Sequence, residues 1–292
     1  MRQILIGTCV PGAKADKWLA PMLEAGFETV AINFHMSLQD VSLEKQGPLV
    51  ARQLSERGLK VSTLGYYCNP LENEAHLRTL EHVIDCAHYY GASNVGTFAG
   101  ALEGQSVEAA IPTFGKVFKE LSMRAADRGV RLVIENCPMG GIWHRATCNI
   151  GFHPKAWEMM FDAVDHPALG LEWEPGHQMI QLIEPLPQLK QWAHKIYHLH
   201  GKDASIDWHA VRTGGVLMGD GQYAPERTPG FGDTDWRDVF SILRKAGYEG
   251  DVCVEGYHDP VYSGEWEMTA QLHALGYLKW CRGGTFVPNP WA

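Results

Sequence analysis

Lys195-Ile196-Tyr197-His198-Leu199-His200-Gly201-Lys202-Asp203 is the stretch on which the reading of this chain turns. As a β-strand, its alternation places Ile196, His198, His200 and Lys202 on one face and Tyr197 and Leu199 on the other. A single histidine in such a strand is most often a satisfied core residue. Two imidazoles and an ammonium aimed the same way point to chemistry only if other strands send polar groups to the same place. Three other segments do so: Val133-Ile134-Glu135-Asn136-Cys137, Gly170-Leu171-Glu172-Trp173-Glu174-Pro175-Gly176-His177 and Val252-Cys253-Val254-Glu255-Gly256-Tyr257-His258.

Outward from these segments, short β-rich runs alternate with amphipathic helical ones. Strands are expected at 4–9, 29–33, 61–66, 94–98, 132–136, 169–174, 195–200 and 252–255. The helices that follow them are expected at 15–25, 43–57, 74–90, 107–128, 154–164, 185–194, 236–246 and 265–280, several closed by glycine. Eight strand–helix units within 292 residues predict an α/β fold, a single (β/α)8 TIM barrel spanning 1–292. An open doubly wound sheet is the competing architecture; neither GxGxxG after a first strand nor a P-loop is present to support its nucleotide-binding forms. Two long segments, 138–153 and 204–234, leave the C-terminal ends of strands, where barrel active sites are built, and read as lids or specificity loops.

Composition narrows the partners. A hydrophobic share of 45% is ordinary for a globular chain, and no apolar run approaches a membrane span. A net charge of −9 argues against a nucleic-acid surface. The start Met1-Arg2-Gln3-Ile4 lacks a signal-peptide pattern, and seven cysteines without CxxC spacing fit reduced thiols, so a cytoplasmic protein is expected. The aromatic tail 284–292 offers a contact for a homo-oligomer.

Glu135, Glu174, His200 and Glu255 stand at or just past the ends of four predicted strands, and in a barrel such positions converge on one mouth. Carboxylates gathered there would be driven towards protonation unless a cation sat among them. One imidazole with three oxygen ligands suits a single divalent ion, Mn²⁺ first and Mg²⁺, Co²⁺ or Zn²⁺ after it. Glu172, on the same strand face as Glu174, is a competitor for the second ligand position.

The segments Glu135-Asn136-Cys137-Pro138-Met139, Glu174-Pro175-Gly176-His177, His198-Leu199-His200-Gly201-Lys202-Asp203, Thr228-Pro229-Gly230-Phe231-Gly232-Asp233-Thr234-Asp235-Trp236 and Glu255-Gly256-Tyr257-His258-Asp259-Pro260 together resemble the xylose-isomerase-like TIM-barrel superfamily of sugar isomerases and epimerases. The resemblance implies a metal held by Glu135, Glu174, His200 and Glu255. It implies that Glu135 and Glu255 also act as acid–base groups, and that His177 orients substrate or supports the metal shell. One departure is the second ligand, typically Asp in that family and Glu174 here.

The expected reaction is proton abstraction next to a carbonyl through a metal-bound enediolate, giving a sugar isomerase or epimerase. A leaving group on the adjacent carbon would turn the same intermediate into a carbon–oxygen lyase acting on a 3-keto-glycoside, keto-sugar or inosose, with His258, His177, His144 and His35 as candidate acids. Substrate contacts are expected from His177, Lys202, Arg227, His258 and Trp143, with Phe34, Tyr66 and Trp173 as an apolar wall. Lys202 reads equally as an ion-pair partner of Glu174 or Asp203, and Arg227 as a solvated loop residue. No phosphate-binding loop is evident, which favours an unphosphorylated sugar. A DNA-repair endonuclease wants a basic face and more histidine ligands, and a non-catalytic sugar-binding barrel has no need of an acid–base pair.

Overall fold

A computed structural model describes residues 3–217 and 223–291. Part of the expected loop 204–234, at 218–222, and the tail residue Ala292 lie outside them, as do Met1 and Arg2. The chain runs β1 (Ile6–Pro11), α1 (Ala15–Glu24), β2 (Thr29–His35), α2 (Leu43–Ser55), β3 (Val61–Tyr67), α3 (Glu74–Tyr90), β4 (Asn94–Thr97), α4 (Val107–Asp127), β5 (Arg131–Glu135) and α5 (Pro154–Ala163). It continues through β6 (Leu169–Trp173), α6 (Gly176–Met179), α7 (Pro185–Trp192), β7 (Ile196–Gly201), β8 (Asp203–Ala204), α8 (Trp208–Gly214), β9 (Glu226–Arg227), α9 (Trp236–Lys245), β10 (Val252–Val254) and α10 (Glu267–Arg282).

Eight of these strands close a barrel in the order β1-β10-β7-β6-β5-β4-β3-β2, with parallel pairing throughout. The expected (β/α)8 barrel is therefore the fold. Local signals set most boundaries to within a residue or two. For α3, Asn73 Oδ1 accepts from the Ala75 and His76 amides at 2.9 and 3.1 Å, and Gly91 ends the helix at φ 66°. The expected loop 204–234 is less bare than its sequence suggests, since it carries α8 and the antiparallel ribbon β8–β9.

Alternate residues of each strand point into the barrel, but the alternation breaks in β3, at Ser62, and in β7. Leu171 pairs with Ile196 but Glu172 pairs with His198, so a bulge at Tyr197 separates the two registers. Ile196 consequently joins Leu199 in the core beneath the helices, rather than sharing the face of His198 as strict alternation requires. The Tyr197 ring lies over Gly170, where a β-carbon would meet it at 2.3 Å. From His198 onward the alternation resumes and carries His200 and Lys202 up to the mouth.

The barrel seam between the first and last units is sewn by a buried guanidinium. Arg282, at the end of α10, donates to the Ile4 carbonyl at 2.7 Å and to both oxygens of Glu28, which also accepts from the Ile6 amide at 2.8 Å. Burial alone would push the Glu28 carboxyl up, but Arg282 and the Ile6 amide hold it below its usual value. Arg282→Ala leaves that carboxylate without its main partner and is expected to lower unfolding free energy by about 2–4 kcal/mol in urea denaturation. The deficit is largest above the ordinary carboxylate value of 4.5 and closes as pH falls through the depressed native value, because protonated Glu28 no longer needs the partner.

Candidate active site

Glu135 ends β5, His200 lies in β7, and Glu174 and Glu255 each follow the last residue of a barrel strand by one position. The barrel brings all four to its C-terminal mouth. His200 Nδ1 is 2.8 Å from Glu135 Oε1, 3.3 Å from Glu255 Oε2 and 3.9 Å from Glu174 Oε2. One donor atom from each residue lies within 4.8 Å of the others, so the four form a group able to hold a metal ion. The donor chemistry fits such an ion. Both Glu174 oxygens and Glu255 Oε2 are buried without a hydrogen bond of good geometry, although His177 Nε2 and Lys202 Nζ approach them at 2.5 and 3.1 Å. Three carboxylates and an imidazole suit a hard divalent cation better than a closed tetrahedral zinc site.

Desolvation and crowding set the protonation pattern. Burial pushes the Glu135 carboxyl up to about 7, against the hydrogen bond with His200 and with further upward pressure from Glu255. Burial likewise drives Glu174 well above the usual carboxylate range, only partly countered by Lys202. Glu255 goes the other way: burial opposes its charge, but Lys202, His200 and His258 hold it well below. Lys202 and His200 stay protonated against burial because carboxylates surround them, Glu174 chief among them for Lys202 and Glu172 for His200.

The remaining predicted residues divide into two groups. His177 is buried beside Glu174, with Nδ1 3.7 Å from Glu226, and burial followed by Lys202 pushes it down to about 4. Lys202 pairs with Glu255, Glu174 and Glu226 at 3.1, 3.7 and 3.8 Å, not with Asp203, which instead accepts from Thr234 and the Trp236 indole. His258 sits 3.4 Å from Glu255 and 3.6 Å from Glu226. A cavity of about 340 Å³ opens above the cluster; His35, Phe34, Phe98, Tyr67 and His258 are among its walls. Arg227 and Trp143 do not line it. Arg227 donates to Asp259 at 3.1 Å, and Trp143 donates to Glu108 at 2.6 Å beneath Lys155. Tyr66 and Trp173 are core residues, whose polar atoms go to the Met36 carbonyl and Gln178. A cavity of about 480 Å³ at the opposite end of the barrel, between Lys60 and Arg131, shares no residue with the cluster.

Sequence reasoning missed the residues that hold the cluster in place. The Asn136 amide accepts from Glu174 N at 2.8 Å and donates to Glu174 O at 2.9 Å, extending the ladder by one side chain. Asn149 uses all its capacity: it accepts from the Ala99 and Gly151 amides and donates to the Glu135 and Cys137 carbonyls. Behind Glu255, the Tyr257 amide donates to Glu267, which also accepts from Gln271. Glu226 was unforeseen because it belongs to the ribbon inside a segment read as loop. Tyr67 and Phe98, at the ends of ordinary-looking strands, gave only their aromatic character as a signal. Glu172, weighed above as a rival to Glu174, lies one layer deeper, 2.6 Å from His198 Nδ1. There burial would raise its carboxyl, but His200 and His198 hold it low.

Asn136→Asp puts an acceptor against the Glu174 carbonyl. It is expected to cost about 1–3 kcal/mol in chemical denaturation, the penalty of an unpaired buried polar group; an unchanged midpoint would remove Asn136 from this role.

Comparison with known proteins gives relatives of consistent kind. The inosose dehydratase of Clostridium beijerinckii is 27% identical over 165 residues, covering 55% of this chain and 51% of that one. The chain spans about half the length of the curated relatives it matches. A xylose isomerase domain protein from Planctomyces limnophilus superposes with a TM-score of 0.74 at 17% identity, covering 96% of this chain and 98% of that one. The 3-keto-D-glucoside 4-epimerase of E. coli gives 0.70 at 17% identity, covering 95% and 100%. At such identities the structures speak for the fold alone, but the family's sequence profile matches residues 19–279, and the chain belongs to the xylose isomerase-like TIM barrel family.

Proposed function

We propose that this chain is a divalent-metal-dependent sugar isomerase or epimerase that moves a proton on the carbon beside a carbonyl. The observation that carries the reading is the pair Glu135 and Glu255, both against His200 Nδ1, at 2.8 and 3.3 Å, and shifted in opposite directions by their surroundings. Glu135, Glu174, His200 and Glu255 would hold the ion, Mn²⁺ before Mg²⁺, Co²⁺ or Zn²⁺, whose charge would acidify the C–H beside a carbonyl and offset charge building on oxygen.

The protein's own groups do the rest. Glu255, held ionised beside Lys202, takes the proton, and Glu135, whose affinity for a proton burial raises, returns one. Phe34, Phe98, Val10 and Pro11 offer the C–H face of a sugar an apolar wall, while His177 and Lys202, which do not line that cavity, flank Glu174 at 2.5 and 3.7 Å. Among the described residues no lysine or arginine lines the cavity, and the Arg227 charge is spent on Asp259, which supports an unphosphorylated substrate. Among the described residues no helix is long and apolar enough to cross a membrane.

A second reading, a carbon–oxygen lyase, rests on His258. The Glu255 hydrogen bond raises this imidazole above its ordinary value, against burial, which favours a proton on it at the edge of the cavity. Glu255 would take the carbon-bound proton, the freed electron pair would form the C=C bond as the adjacent C–O bond breaks, and the departing oxygen would take the His258 proton. The curated relatives named as inosose dehydratases favour the same chemistry.

The test is an NMR time course of the Mn²⁺-loaded protein in D₂O with ketohexoses, a 3-keto-glucoside and an inosose. One solvent deuterium with mass otherwise conserved is the expected result, with Glu255→Gln slower by about 10²–10⁴. Loss of water or an aglycone moves the assignment to the lyase. No turnover, with no metal by elemental analysis, overturns both readings.

Metal should also report on pH. Glu135 and Glu174 have raised native values, so without metal they weaken the fold as pH rises from the unfolded value of 4.5 through about 7 for Glu135. Glu135 and Glu174 would hold Mn²⁺ in their ionised forms, which would offset that strain. Thermal stabilisation by Mn²⁺ should therefore be larger at pH 8 than at pH 5 and should vanish with EDTA; equal shifts at the two pH values would contradict the four-residue site.

A further inference from the structure

A carboxylate and two imidazoles stacked inside a barrel are expensive to bury, and the proposed reaction leaves Glu172 and His198 without a task. Both are fully buried below the mouth. Glu172 accepts from beneath and beside, with one lone pair left on each oxygen: His198 Nδ1 lies 2.6 Å from Oε1, and the Tyr67 hydroxyl donates to Oε2 at 2.7 Å. Space for this group is reserved by Gly96, where a β-carbon would stand 2.9 Å from the Tyr67 hydroxyl and 3.0 Å from Glu172 Oε2. Above it, the two nitrogens of His200 face different layers. Nδ1 looks into the cluster of Glu135, Glu174 and Glu255, while Nε2 lies 3.4 Å from both Glu172 Oε1 and the Tyr67 hydroxyl.

We infer that Glu172, held by His198 and Tyr67, is a positioning residue that makes His200 a ligand through Nδ1 alone. The inference rests on the metal reading of the four-residue site. To ligate a metal, the His200 imidazolium would give up one proton, and the nitrogen that keeps its hydrogen needs an acceptor. Glu172 is the anionic acceptor on the Nε2 side, so the hydrogen stays there, the ring is kept from turning, and its electron donation at Nδ1 is strengthened. His198 acts one step further away, by fixing the carboxylate that fixes His200.

The test is the Mn²⁺ dissociation constant of wild type and Glu172→Gln, measured by the EPR signal of free Mn²⁺ at constant pH, with near-UV circular dichroism to check packing. Glu172→Gln keeps the shape and removes the charge, and roughly ten- to hundredfold weaker binding by a natively packed variant is expected. Equal affinity overturns the inference and leaves the metal site standing; a wild-type chain that binds no Mn²⁺ overturns both. Should the variant fail to fold, long-range ¹H–¹⁵N spectra of the Zn²⁺-loaded wild type decide. Hydrogen on His200 Nε2 is the expected signature, and hydrogen on Nδ1 would refute the assignment.

Discussion

Negative charge without water is the constraint on which the rest of this structure depends. Glu135, Glu172, Glu174, Glu226 and Glu255 crowd the mouth and the layer beneath it, against the two cations His200 and Lys202. In a desolvated space such an imbalance is relieved by keeping protons, by pairing, or by admitting a cation, and the site uses the first two in different places. Glu135 and Glu174 are pushed towards neutrality, whereas Glu255, wedged between Lys202, His200 and His258, is kept ionised. Identical side chains at equivalent strand ends thus acquire different chemical characters from their neighbours alone.

The barrel makes room for this charge by being small elsewhere. Gly65 and Gly96 face inward where the Tyr67 ring and the Glu172 carboxylate need space, and Cys9, Ala31 and Cys253 form a small apolar layer between neighbouring strands. Bulky branched residues such as Leu132, Ile134, Leu171 and Val254 are turned outward against the helices instead. The bulge at Tyr197 belongs to the same arrangement. It lets the lower barrel be filled by a tyrosine ring while the strand above presents two histidines inward.

The fold was legible because its signals are local. Helix caps such as Asn73, glycine stops such as Gly91 and the strand–helix alternation are all written within a few residues of where they act. The convergence of Glu135, Glu174, His200 and Glu255 was legible for a related reason, since a closed parallel barrel sends every strand end to one mouth. What escaped the sequence was long-range. Asn149 serves Glu135 and Ala99 at once, and Glu226 reaches His177 through a ribbon within a long loop. Trp143 and Arg227 had the right chemistry in the right loops, yet their partners, Glu108 and Asp259, draw them away from the cavity. Periodicity cannot distinguish a polar side chain that faces a substrate from one that faces a neighbour. The register slip beside Tyr197 was invisible for the same reason.

The amide clamps at the strand ends carry a further consequence. Asn136 grips Glu174 by its backbone, Asn149 grips the carbonyl of Glu135, and Glu267 grips the amide of Tyr257 just past Glu255. None of these contacts uses the side chain of the residue being held. The scaffold of the site and its occupants are therefore separable, and a side chain at a clamped position can be exchanged in evolution without moving the strand end that presents it. A glutamate at 174, where the resemblance read in the sequence implies an aspartate, is the kind of change such a division of labour permits.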